Sequence, residues 1–232
     1  MLYGRNAVRE ALRGRRTVHQ IWASRNALRE PWLDRAKVPV TAAGAAEIEG
    51  RCGAADHQGV CAEVSPFPYA DPAALLEPGA GLLVALDQVQ DPQNLGAICR
   101  TAECAGVRGV VIPERRSAEV TPAVCKASAG AVEHLPVARA RNLAEFLLSA
   151  KAAGMWCYGA DPAAQLAYDA VDYGPAAVLV LGSEGRGLRP RVRAACDALV
   201  AIPLRGRIQS LNVSAAAAVL IYQASDKTGC GG

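Results

Sequence analysis

The chain has 232 residues, 51% of them hydrophobic and 20% charged. That excludes a disordered polar segment and a mini-domain held by disulfide or metal staples. Its 25 basic and 22 acidic residues leave a net charge of only +3, a total that names no partner. Aromatic residues make up 5%, so alanine, valine and leucine must fill the core.

In chain order, the pattern predicts a helix over 6–13, a strand over 18–23, a helix over 26–36, a strand over 38–40, a helix over 42–52 and a strand over 60–64. Alternating helix and strand suggests a small α/β domain over 1–65. Charge is uneven here. Residues 1–40 carry nine basic and three acidic groups, and residues 41–80 carry one and six. Arginine outnumbers lysine 21 to 4, and its planar fork suits phosphate. Codon usage and solvated helix faces account for such a bias equally well.

Residues 66–80 contain four prolines, Pro66, Pro68, Pro72 and Pro78, and read as a linker. Beyond it, strands are predicted over 81–86, 107–112, 132–137, 155–160, 176–181 and 198–202. Helices are predicted over 95–105, 122–129, 142–153, 190–195 and 211–223, within a second domain over 81–225. Apolar strands separated by helices indicate a parallel sheet covered on both faces. Ligands bind such sheets beyond the carboxyl ends of the strands, which directs attention to loops 87–94, 182–188 and 203–210. The helix over 211–223 is apolar on nearly all sides and belongs in a core or an interface. The tail over 226–232, with Cys230, is expected to be disordered.

Eight cysteines include no C-x-x-C pair, and none of the three histidines stands at ligand spacing from a cysteine pair, so no metal is expected. No apolar run is long enough to span a membrane. A soluble, cytoplasmic, reduced protein is the expectation.

In the first loop, Gly96 would allow close backbone approach and Asn94 would cap the following helix. A capped helix with an Arg100–Glu103 surface pair is the plainer account by spacing alone. The second loop, Leu181-Gly182-Ser183-Glu184-Gly185-Arg186-Gly187, is glycine-rich after a buried strand but matches neither the Walker loop nor the dinucleotide fingerprint. The third, Ile202-Pro203-Leu204 through Ser210-Leu211-Asn212-Val213-Ser214, brings hydroxyl and amide groups to an apolar helix. A helix cap with satisfied polar neighbours would also explain it.

Together, in this order, the three loops resemble the motifs of the SpoU (TrmH) family of RNA 2′-O-ribose methyltransferases, over about residues 82–224. Tyr3-Gly4-Arg5-Asn6-Ala7-Val8 and His57-Gln58-Gly59-Val60 resemble the ribosomal-protein-like RNA-binding domain that precedes the catalytic domain in many members. Lys126-Ala127-Ser128-Ala129-Gly130-Ala131 resembles the stretch between the first two motifs. The resemblance implies a trefoil knot near the C-terminus, which periodicity does not suggest, and S-adenosylmethionine as cofactor. It also implies a homodimer and an RNA substrate, nearest to a guanosine of 23S rRNA.

It further implies roles for particular residues. Arg100 would act at the target ribose, stabilising a developing alkoxide because a guanidinium stays protonated. Asn94 and Glu184 would hold Arg100 and its loop, and Ser210 and Asn212 would organise the pocket. Leu181, Gly182, Ile202, Pro203 and Leu211 would clasp the cofactor, with no room for a Cβ between residue 182 and the ligand. Arg5, Arg9, Arg13, Arg15 and Arg16 become candidate phosphate contacts. The alternatives are a methyltransferase acting on a tRNA D-loop guanosine and an RNA-binding scaffold without catalysis.

Overall fold

The computed structural model describes residues 1–208 and 210–228. Its chain forms two sheets. The first joins β1 (Leu2–Tyr3), β2 (Val18–Ala23), β3 (Val40–Ala42) and β4 (Val60–Val64) in the order β1-β4-β2-β3. Strand β4 runs antiparallel to β1 and β2, and β2 runs parallel to β3. Helix α1 (Arg5–Ala11) buries Ala7, Val8 and Ala11. The helix expected over 26–36 is broken into a 3-10 turn, Ala27–Arg29, and a short α2 (Pro31–Asp34). Glu30 between them is extended, because a proline ring disfavours the helical conformation in the residue before it. Helix α3 (Ala45–Cys52) completes this unit.

The second sheet is parallel throughout. It contains β5 (Gly81–Asp87), β6 (Gly109–Pro113), β7 (Val137–Ala140), β8 (Trp156–Ala160), β9 (Leu166–Ala167), β10 (Ala176–Gly182) and β11 (Ala198–Ala201). Their order is β7-β6-β5-β10-β8-β11-β9. Side chains alternate between two cores, as the two-residue strand period requires. Leu82, Val84 and Leu86 share a core with α4 (Pro92–Cys104), α5 (Pro122–Ala127) and α8 (Val213–Thr228). Leu83 and Ala85 face α6 (Leu143–Ala152) and α7 (Pro190–Ala195) on the other side.

Most boundaries shift by a few residues from the sequence expectation, with the clearest changes around residues 131–137 and at the two ends of the last helix. Ala131–Glu133 is a 3-10 turn following Gly130 at φ 91°, and the strand expected over 132–137 begins only at Val137. The last helix begins at Val213 and continues through Thr228, whose side chain is buried. The expected disorder from 226 therefore does not apply to residues 226–228, and residues 229–232, with Cys230, lie outside the described residues. Strands β1 and β9, two residues each, are too short for periodicity to reveal.

The two units share one apolar core, in which Leu2, Val8 and Ala11 join Val124, Val132 and Leu135, and a polar seam runs beside it. The Arg16 and Glu133 side chains are 6% and 1% exposed and form an ion pair, with Arg16 Nε donating to Glu133 Oε2 at 3.0 Å. Arg15 Nη2 donates to the Leu135 carbonyl at 2.7 Å, and His134 meets Glu10 at 3.1 Å. Burial works against the Glu10 carboxylate, but hydrogen bonds from His134 and Arg9 outweigh it and hold its pKa below the usual range. A Cβ on Gly14 would lie 2.6 Å from that of Glu133, so the approach requires glycine. Arg16, expected among the RNA contacts, is committed to this seam instead. The segment over 66–80 is pinned as well: the Tyr69 hydroxyl accepts from Val120 N at 2.8 Å, and Ala70 bridges to Ala138.

Among the described residues, no helix is long and apolar enough to cross a membrane, and no group of three or more His, Cys, Asp or Glu could hold a metal. Cys61, Cys99, Cys125 and Cys157 are buried as small hydrophobes, and burial pushes the Cys99 thiol up to about 12.

Candidate functional site

Strands β5 and β10 lie side by side in register, from Gly81 opposite Ala176 to Asp87 opposite Gly182. From β5 the chain builds outward to β6 and β7, and the other flank is built later, so the crevice at the ends of β5 and β10 is a topological switch point. Residues of all three loops meet there. Asn94 Nδ2 donates to Glu184 Oε1 at 2.7 Å. Asn212 Nδ2 donates to the same oxygen at 2.9 Å and to Asn94 Oδ1 at 3.1 Å. Asn212 Oδ1 in turn accepts from the Ser214 amide (2.8 Å) and hydroxyl (2.6 Å). One carboxylate oxygen thus gathers two amides from segments remote in sequence.

Asn94 is free for this because it does not cap α4, as the sequence suggested. Asp91 does, accepting from Gln93 N at 2.9 Å, with Pro92 at the first helical position. Asn94 then falls in the first turn, buried and turned toward the crevice side of the helix. Gly96 does permit a close backbone approach, and the partner is the end of α5, where the Ser128 amide nitrogen would stand 2.9 Å from a Cβ at that position. A Cβ there would stand 2.4 Å from the Ala127 Cβ, so glycine lets α4 and α5 pack closely.

The glycine-rich loop closes on itself. Ser183 and Gly187 form an antiparallel bridge, with Gly187 N donating to the Ser183 carbonyl at 2.9 Å. A Cβ on Gly182 would lie 2.2 Å from the Gly187 carbonyl carbon. The loop itself therefore demands glycine at 182, whatever the cleft beside it holds. The sequence reading missed the clamp behind this loop. Asp87, fully buried at the end of β5, accepts from Arg189 N at 2.8 Å and from Arg189 Nε at 2.7 Å. An aspartate closing an apolar strand was the available signal, since a buried carboxylate needs a partner.

Two concavities adjoin at Glu184. One is a largely apolar cleft of about 230 Å³, walled by Leu181, Gly182, Ile202 and Leu211 together with Val213 and Leu220. Ser210 also lines it. Pro203 belongs to a neighbouring hollow with Leu204 and Ile208. The other concavity is polar, formed by Gln88, Gln90, Asp91, Asn94 and Arg186, and it shares Ser183, Glu184 and Val213 with the cleft. Such a pair can hold an apolar-bodied molecule next to a polar one.

Arg100 stands apart. It is exposed on α4 and has no hydrogen bond or ion pair among the described residues. Six helical residues beyond Asn94 place it roughly 240° around the axis. Asn94 and Glu184 hold Asn212 and each other, not Arg100. Among the other predicted arginines, Arg5 pairs with Glu30 at 2.6 Å, and Arg9 and Arg13 share Glu10 at 2.9 and 3.4 Å.

Known proteins share this sequence pattern and this fold. The model of the SpoU rRNA Methylase family matches residues 81–222, and a model for RNA 2′-O ribose methyltransferase substrate binding matches residues 1–70. The chain belongs to the SpoU methyltransferase family. This SpoU chain is 36% identical to a putative TrmH family tRNA/rRNA methyltransferase of Bacillus subtilis, over 95% of its own length and 92% of that protein. It is 39% identical to an uncharacterized tRNA/rRNA methyltransferase of Synechocystis, over 96% of its length, but spans only 61% of that longer relative. Among solved structures, a putative TrmH family RNA methyltransferase from Porphyromonas gingivalis superposes with a TM-score of 0.77 at 31% identity, covering 96% of this chain and 88% of that one. An AdoMet-bound rRNA methyltransferase from Sinorhizobium meliloti gives 0.81 at 26% identity, covering 97% and 85%.

Proposed function

We propose that this SpoU-family chain transfers a methyl group from S-adenosylmethionine to a ribose 2′-hydroxyl of RNA in the bacterial cytoplasm, and that the acceptor is a guanosine of 23S rRNA. The observation that carries the reading is Glu184, which knits Asn94 to Asn212 on the wall between an apolar cleft and a polar concavity. The residues present fit the cofactor: Leu181, Ile202, Leu211 and Leu220 offer apolar walls, and the ends of β10 and β11 offer main-chain groups. When bound, S-adenosylmethionine supplies an electrophilic sulfonium methyl.

The chain's own part is positional and electrostatic. The apolar walls would exclude water from the cofactor, and the polar concavity would take the nucleoside beside it. Holding two reactants in a reactive geometry supplies up to roughly 7–11 kcal/mol in the best cases. The Asp87–Arg189 clamp and the Glu184 network keep the glycine-rich loop in place. Arg100, free of internal partners among the described residues, is available to a phosphate or to the developing alkoxide of bound RNA. Proton loss is to phosphate or water, because a guanidinium does not serve as a base.

Two further features belong to this reading. Helix α8 buries Val213, Ala217, Leu220 and Ile221 yet exposes Tyr222 by 49%, which supports a homodimer seated on its outer face. After β11 the chain returns to pack α8 against α4, β5 and β10, a path in keeping with the knotted C-terminus the family resemblance implies. The deciding experiment incubates the protein with tritiated S-adenosylmethionine and either unmodified 23S rRNA fragments or tRNA, then maps the label by blocked alkaline cleavage. Label at one 23S guanosine is expected. Label in tRNA alone would move the substrate, and no transfer to either RNA would favour a scaffold.

A further inference from the structure

The substrate-binding half carries a groove that its three-loop crevice does not explain. Helix α1 and the α2 region border an open groove lined by Arg9, Arg13, Trp32, Arg35 and Lys37, with Glu30 the one acidic wall residue. Glu30 is already neutralised by Arg5. Arg9 and Arg13 share the single carboxylate of Glu10, and Arg35 and Lys37 are exposed with no partner among the described residues. Four cations therefore surround a half-buried indole with little internal compensation. Arg16, which also borders the groove, is spent on Glu133.

We infer that this groove binds a single-stranded segment of the RNA substrate, with phosphates on Arg9, Arg13, Arg35 and Lys37 and one unpaired base on Trp32. The inference rests on the proposed function for its substrate class. Cations alone would accept any polyanion, but an aromatic lining between them matches the stacking platform used for unpaired bases. A base within a duplex is stacked and cannot reach such a floor, so the groove selects single strand over double.

The test uses the full-length protein and a fluorescein-labelled, unstructured 12-nucleotide RNA, with the same sequence in a duplex as control. The Arg35→Ala/Lys37→Ala double variant should bind the single strand at least tenfold more weakly, with a log–log salt slope shallower by about 1.4. Trp32→Leu should lose roughly 5- to 100-fold in single-strand affinity. Its salt slope and its calorimetric affinity for S-adenosylmethionine should not change, the latter serving as the check on folding. Unchanged single-strand affinity in the double variant, or equal losses for single strand and duplex in Trp32→Leu, would overturn the groove. If the groove variants behave as expected but no RNA accepts a methyl group, the groove stands and the proposed function falls.

Discussion

Two polar clusters join distant parts of this chain, and they are built on opposite principles. At the seam between the sheets, Arg16 and Glu133 form an ion pair almost wholly removed from water. At the crevice, Asn94, Glu184 and Asn212 form a network in which Asn94 is buried while Glu184 and Asn212 remain exposed. The first is costly to break and contributes little when intact, because desolvation consumes most of the Coulomb gain. The second contributes less to folding, because Glu184 and Asn212 could hydrate. Its value lies in holding three loops in one relative position. The difference separates residues that fix the architecture from residues that set up a site.

The largest effect should come from breaking the seam on one side only. Glu133→Ala leaves a buried guanidinium without its counter-charge and should cost about 3–5 kcal/mol in urea unfolding. The paired change Arg16→Met with Glu133→Leu should recover most of that loss. A single variant that cost under 1 kcal/mol would show that water reaches the pair, and the contrast with the crevice would collapse.

Glu184 gives the reverse pattern. Glu184→Ala removes the acceptor that Asn94 and Asn212 share, and because Glu184 and Asn212 are exposed, water replaces most of what folding loses. Methyl-transfer kcat/KM should fall roughly 100-fold or more, with unfolding midpoints nearly unchanged. Glu184→Gln keeps an oxygen that can accept from both Asn94 and Asn212, so it should restore activity to within about tenfold of the parent chain. If Gln were as inactive as Ala, the negative charge itself, and not the geometry it holds, would be what the site requires.

The sequence made these two clusters unequally legible. The crevice residues were readable because polar side chains interrupt apolar strand–helix junctions, at the ends where parallel sheets bind ligands. Asn94, Glu184 and Asn212 were singled out, and Leu181, Gly182, Ile202 and Leu211 do line one cleft. The reasons given were less secure than the positions. The cap expected of Asn94 is provided by Asp91, and the loop alone already requires glycine at 182. The seam was invisible because Arg16 and Glu133 are 117 residues apart, and an isolated arginine in a basic run looks the same whether it meets solvent or a partner. The 3-10 turn at Ala131–Glu133 was missed for a related reason. An apolar run carries no sign that a left-handed glycine before it will delay the strand.

The smallest of these effects tests whether the network depends on the helix that presents it. Asp91 caps α4 through a single bond to Gln93 N, three residues before the buried amide of Asn94. Asp91→Ala should reduce stability by about 1 kcal/mol, and Asp91→Asn, an equally good cap, should keep nearly all of it. Because Pro92 still fixes the first turn and Glu184 still accepts from Asn94, cofactor affinity measured by calorimetry should change less than threefold in either variant. A larger loss in Asp91→Ala, restored in Asp91→Asn, would mean that fraying of the first turn moves Asn94 out of reach. The crevice would then share with the seam a dependence on local folding stability.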